Sequence, residues 1–181
     1  MSKVITFSRV FPKYHPKAGQ PTYFVEQLQN SLVEIGNDLF DPYFNYTMDY
    51  LNSLTTKHVG CKRHTIRNGN RWKVGDKFSP RVWSGKPYAS PQIIIAPDIE
   101  IKQIWDFEIK NEFDKDGWYN FFYLNGTPLF WNDIDKIAQN DGLNLEDMVN
   151  WFKANDGYFS GKEYKCSFKG QIICWNENVK Y

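Results

Sequence analysis

Apolar positions follow two regimes along this chain of 181 residues. In the first half they recur at helical spacing; in the second they alternate or run together, as in strands. Lys3 to Val10 alternates weakly and reads as a strand. Residues 11–21 (FPKYHPKAGQP) hold three prolines and a glycine, the composition of a loop. A helix is predicted from Thr22, a plausible N-cap, to just before Gly36, with Phe24, Leu28, Leu32 and Ile35 on one face. Residues 41–54 read as a second helix.

Past residue 74 the pattern changes. Val74 to Val82 reads as extended, Trp83 to Pro91 (WSGKPYASP) as a loop, and QIIIAP as the start of a buried strand. Ile101, Trp105, Phe107 and Ile109 share parity, as in a half-buried strand. Trp118 to Leu124 is another apolar run. Asn125-Gly126 follows it, a hairpin signal that predicts Thr127 to Trp131 pairing back. Two short helices come next. One spans Asp133 to Gln139; the other is capped by Asn144, with Leu145, Met148, Trp151 and Phe152 as its apolar face. YKCSFKGQIICW reads as two strands joined by a turn at Lys169-Gly170. Strands that do not alternate with long helices argue against a doubly wound parallel sheet. They favour an α+β fold, mainly antiparallel, with a small barrel as one form of it.

Composition narrows the class. With 41% apolar and 24% charged residues the chain reads as soluble and globular. Charge is balanced, 22 basic against 21 acidic side chains for a net +1, which argues against gripping an extended DNA duplex and leaves room for a small ligand. Aromatics reach 18%, enough to fill a core and also to line a pocket for a planar ligand. Cys61, Cys166 and Cys174 form no CxxC pair, so neither a disulfide framework nor a zinc site is expected, and a reducing cytoplasm fits. Cys166 and Cys174 can face each other across the expected hairpin, but the reading preferred is reduced core thiols. No apolar leader opens the chain and no run nears 18 apolar residues, so no membrane span is expected.

One stretch concentrates chemistry. Gly60-Cys61-Lys62-Arg63-His64-Thr65-Ile66-Arg67 reads G-x-K-x-x-T-x-R. Gly60 allows close approach of backbone. Lys62 offers a cation, or a base if burial lowers its pKa. Thr65 offers a hydroxyl and Arg67 a planar fork. On a strand, Thr65 and Arg67 project to the same side while Ile66 points to the core. The plainer reading is a solvated basic loop, since charge runs usually face water.

The motif resembles the signature of the ASCH domain, a PUA-like β-barrel associated with RNA. The similarity continues loosely from Val59 to Trp175, through Trp72-Lys73-Val74-Gly75-Asp76, Asp135 to Phe152 and the apolar strand Gln171 to Trp175. The resemblance implies an ASCH-like domain over 56–181 with an insertion around 84–131, behind an N-terminal helical extension over 1–55. At the motif the chain resembles the bacterial N4-acetylcytidine amidohydrolases. Their proposed catalytic set of lysine, threonine and glutamate carries over onto Lys62, Thr65 and Asp141, with Arg67 as the motif arginine. Asp141 is an aspartate where those enzymes have glutamate, one methylene shorter. It is also the first residue of an Asp-Gly pair, common in plain turns.

The resemblance implies a cleft for a nucleoside or short RNA and leaves three functions open: hydrolysis of an N4-acylcytidine-like amide, recognition without chemistry, or a ribonuclease-like activity. Gly60, Arg67, Trp72, Trp83 and Tyr88 are the candidate substrate-binding residues, although Trp72 can equally anchor the loop. His58 and His64 flank the motif as proton carriers or, on the plainer reading, as surface residues; Arg63, Arg71 and Lys73 read as solvated. No metal or cofactor is expected.

Overall fold

The computed structural model describes residues 3–36, 60–114, 117–152 and 168–181. Among them lie three helices and two sheets, an α+β arrangement. One sheet is built on β3 (Lys77–Trp83). β1 (Lys3–Thr6) joins β3 in parallel; β4 (Gln92–Ile94) and β5 (Ile99–Glu100) join it antiparallel. The other sheet contains β2 (His64–Asn68), β6 (Gln103–Asp114), β7 (Gly117–Leu124), β8 (Thr127–Pro128) and β9 (Phe168–Cys174). Its order is β2-β9-β6-β7-β8, antiparallel throughout.

The expected barrel is not closed among the described residues. A barrel needs a partner for each end strand. Here β2 pairs only with β9, and β8 pairs only with β7.

The β7–β8 hairpin turns at Asn125 (φ 49°) and Gly126 (φ 79°), the left-handed pair that a tight hairpin requires. It pairs back for two residues rather than five, and α2 (Trp131–Asn140) begins at Trp131. The hairpin expected at Lys169-Gly170 is absent. β9 runs straight through, with Gly170 between Asn68 and Phe107. A Cβ at Gly170 would stand 2.1 Å from the Arg67 carbonyl oxygen and 2.8 Å from the Phe168 ring. The glycine serves close strand approach, not a turn.

Helix α1 (Phe24–Glu34) is capped by Tyr23, at φ 59°, one residue later than expected. Thr22 braces the start: its hydroxyl donates to the Ser8 carbonyl at 2.6 Å and accepts from the Phe24 N–H at 3.4 Å. Phe24, Leu28 and Leu32 are buried at the predicted spacing. Buried polar side chains on other faces find partners as well. Gln29 donates to the Ile95 carbonyl, and Ser31 accepts from the Trp175 indole at 3.0 Å. Residues 3–36 therefore supply a strand to one sheet and a helix to the common core. The expected boundary near residue 55, the helix expected over 41–54, His58 and Cys166 lie outside the described residues.

The two later helices form as their spacing predicts. Ile134, Ile137 and Ala138 bury one side of α2. The Asn144 side chain accepts the Asp147 N–H at 2.7 Å and caps α3 (Leu145–Trp151), which buries Met148. The proline-rich loop is tied to α3, since Lys17 meets the Asp147 carboxylate at 2.6 Å. Among the described residues no helix is long and apolar enough to cross a membrane.

Candidate functional site

Lys62 sits in the loop entering β2, held by two straps. Its own N–H donates to the Gln27 carbonyl at 2.9 Å, and the Arg63 N–H donates to the Asn140 carbonyl at 2.8 Å. The loop is thereby pinned between α1 and the end of α2. The Lys62 side chain is only 1% exposed, a state that lysine rarely adopts unless paired. Its Nζ donates to Asp141 Oδ1 at 2.7 Å and to the Asp141 carbonyl, and stands 4.2 Å from the Phe24 ring centroid. That last contact adds a cation–π attraction.

Asp141 reaches this position because α2 stops there. It is the C-cap residue. The chain leaves through Gly142 at φ 79°, and Leu143 and Gly142 donate back to the Ala138 and Gln139 carbonyls. This is the Schellman ending. A Cβ at Gly142 would stand 2.2 Å from Gln27 Oε1, at the end of a side chain that can turn aside, so it is the positive φ that favours glycine here. The Asp-Gly pair is both a helix stop and the device that presents Asp141. A carboxylate at a helix C-terminus is unfavourable by about 0.3–1 kcal/mol. The Lys62 ammonium offsets this by binding the carboxylate and the helix-end carbonyl together.

Burial pulls the Lys62 ammonium down to about 8, against the pull of Asp141 in the other direction. Burial alone would raise the Asp141 carboxyl, but Lys62 and His64 overcome it and hold it below the usual carboxylate range. At neutral pH the two form a buried ion pair.

His64 corrects the expectation of a surface residue. It is fully buried on β2, with Nδ1 3.5 Å from Asp141 Oδ1. That is an approach rather than a good hydrogen bond. Neither ring nitrogen has a well-formed partner among the described residues. Burial lowers its pKa, so it faces Asp141 as a neutral imidazole. Its edge meets the Tyr181 ring at 5.8 Å. The sequence carried one signal for this residue: it is odd to Thr65 on a strand whose other face holds the site.

Thr65 and Arg67 share parity on β2 and line one cavity of about 240 Å³ together with Lys62 and Asp141. Arg67 Nη2 donates to the Thr6 carbonyl at 2.8 Å, and its guanidinium lies over the Phe7 ring at 5.4 Å. Burial lowers the guanidinium to about 10, still a cation at neutral pH. Ile66, expected to point inward as an anchor, is half-buried, packs against the core and also meets the cavity. Trp83 and Tyr88 stand at the cavity wall with ring centroids 5.3 Å apart. Tyr88 is 91% exposed and holds φ 63°, a backbone state that costs a bulky residue energy. Trp151 and Phe152 of the α3 end close another side.

Two candidates lie elsewhere. Trp72 is 2% exposed and packs on Phe78 within the core. Its N–H and carbonyl are both bound by the Gln171 side chain, so it anchors the loop and does not stack a ligand. Gly60 is exposed with open space around it, outside the cavity wall. Arg63, expected to be solvated, forms a two-pronged ion pair with Glu34 at 2.7–2.8 Å. A larger cleft of about 790 Å³ lies on the Arg63 side, lined by Glu34, Lys102 and Glu177, without any motif residue but Arg63. The smaller cavity is the better candidate because it gathers the buried, pKa-shifted groups. Among the described residues no cluster of three His, Cys, Asp or Glu side chains could hold a metal ion.

No protein-family model, no curated protein and no solved structure matches this chain.

Proposed function

We propose that the cavity beside β2 binds a single modified nucleoside or its base and hydrolyses an N4-acylcytidine-like amide. One observation carries this reading: Lys62 and Thr65 of the motif and Asp141, 79 residues beyond Lys62, open on the same cavity beside Arg67. Its volume of about 240 Å³ lies below the span of drug-sized pockets, which suits a base with a small acyl group better than a polymer. A PUA-like relationship for the fold and a cytoplasmic setting belong to the same proposal.

In this reading Thr65 Oγ1 attacks the acyl carbon while neutral Lys62 takes the hydroxyl proton. The C–N bond breaks, the proton passes to the leaving amine, and water later frees the acid from the threonine ester. Asp141 holds Lys62 in place. With a pKa of about 8, only about a tenth of Lys62 is neutral at pH 7. Turnover is therefore expected to rise through pH 7 and level off above pH 8. The test is incubation with N4-acetylcytidine and mass spectrometry for cytidine. Thr65→Ala and Lys62→Met should each lower turnover by about 100-fold or more, the scale of general-base catalysis.

The tight Lys62–Asp141 pair favours a second reading. A lysine held mainly as ammonium binds better than it accepts protons, so recognition without chemistry suits the same geometry. Saturable nucleoside binding with no cytidine formed at pH 8.5 would select that reading.

A further inference from the structure

The cavity holds an imbalance of charge. Among its described lining residues are two cations, Lys62 and Arg67, and one anion, Asp141. Asp141 is committed to Lys62 through its Oδ1 at 2.7 Å. Arg67 is left with a main-chain carbonyl, Thr6 O, as the partner of one terminal nitrogen. Its Nε is buried with no hydrogen-bond partner among the described residues. Arg63, four residues earlier, shows the alternative: its fork is filled by the two oxygens of Glu34.

A half-buried guanidinium with an empty donor costs free energy that surface arginines do not incur. A carbonyl oxygen of a neutral base would satisfy the donor and leave the surplus charge. An oxyanion satisfies both, and the planar fork of arginine matches carboxylate and phosphate oxygens in two-point contact. Nearby groups reinforce this choice. The Phe7 ring lies against the guanidinium at 5.4 Å, which closes one face to a stacked ligand and favours approach at the donor edge. Trp83 and Tyr88 give the same cavity an aromatic wall for a planar ring.

We infer that the ligand of this cavity carries one anionic oxygen group, a carboxylate or phosphate, bound by Arg67 while its planar ring lies against the aromatic wall. This rests on the nucleoside reading above and narrows it: the preferred ligand is an anionic nucleotide or an acyl-carboxylate derivative rather than the neutral nucleoside.

The test uses the whole chain and isothermal titration with three probes: N4-acetylcytidine, its 5′-monophosphate, and N4-succinylcytidine, whose acyl group ends in a carboxylate. One of the two anionic probes should bind about ten- to a hundredfold tighter than the neutral one, the range of a charge-assisted hydrogen bond. Which of them gains distinguishes a phosphate source from a carboxylate source. The gain should shrink with added salt. It should vanish in Arg67→Gln and survive in part in Arg67→Lys, which keeps charge but loses the fork. Equal affinity for all three probes overturns the inference and leaves the nucleoside reading intact. No binding of any probe overturns both. The comparison on the unaltered chain stands alone should Arg67→Gln fail to fold.

Discussion

At the residue scale, the site turns on a lysine that sequence position alone would leave in water. Lys62, Thr65 and Arg67 were legible because a motif fixes their order and strand parity fixes their side. Asp141 was legible as an acid near a helix end. Its partnership with Lys62 was implied by the resemblance alone and not by spacing, because 79 residues separate the two and only the stop of α2 against the loop joins them. The missing methylene of aspartate is no obstacle here, since Oδ1 already stands 2.7 Å from Nζ. The burial of His64 was not legible, because a lone histidine is more often exposed. Its buried and poorly partnered ring breaks the usual rule of polar satisfaction, and such breaks gather at functional sites. His64→Leu removes an unsatisfied polar group and fills similar space. The denaturation midpoint should therefore stay level or rise by the equivalent of about 1 kcal/mol. Nucleoside binding or turnover should fall about tenfold, as Asp141 loses its neighbour. His64→Asn, whose amide can mimic Nδ1–H, should recover part of the function. If His64→Leu left both function and stability untouched, the ring would be filler.

At the scale of elements, β9 is where pattern reading failed most instructively. Lys-Gly between apolar runs looks like a turn, and from one strand nothing contradicts it. What decides is the neighbours: β9 lies between β2 and β6, and Gly170 is where the β2 backbone at Arg67 comes closest. Period and parity cannot show a glycine demanded by another strand. The same limit hid the role of Trp72. Its burial follows from Gln171, which β9 places opposite Arg67. Gly170→Ala tests this. The new methyl would meet the Arg67 carbonyl at 2.1 Å, and a backbone oxygen in a paired strand cannot step aside cheaply. Chemical denaturation should show a loss of about 1–3 kcal/mol, the usual cost of overpacking. Ligand affinity should fall too, because Arg67 shifts with its strand. A surface-turn glycine would accept alanine with far less effect, so an unchanged midpoint would restore the turn reading.

At the scale of the whole molecule, a domain expected to begin at residue 56 is set against a core whose first member is Ile5 of β1. The α+β class was readable from the second half, where strands dominate. The contribution of the first 36 residues was not, because a weakly alternating strand and one amphipathic helix look the same on an appendage as inside a core. In the structure Leu28 and Leu32 are buried with Trp175 and Ile101 in one cluster. β1 supplies a parallel neighbour to β3 over four residue pairs. Lys62 takes its backbone acceptor, Gln27, and its ring partner, Phe24, from α1. Size does not forbid a free-standing fragment 56–181, for domains of about 100–150 residues are the commonest. The objection is specific: without α1 the core loses one wall, and Lys62 becomes a cation beside an open cavity. Expressed alone, 56–181 should lack a cooperative thermal transition and bind no nucleoside probe. Adding a peptide of residues 1–55 should restore part of the transition, because the missing helix and strand find the vacant groove and edge in trans. A fragment that unfolds cooperatively and binds unaided would mean that α1 merely covers a finished domain, and the buried Lys62–Asp141 pair would then owe its environment to the second half alone.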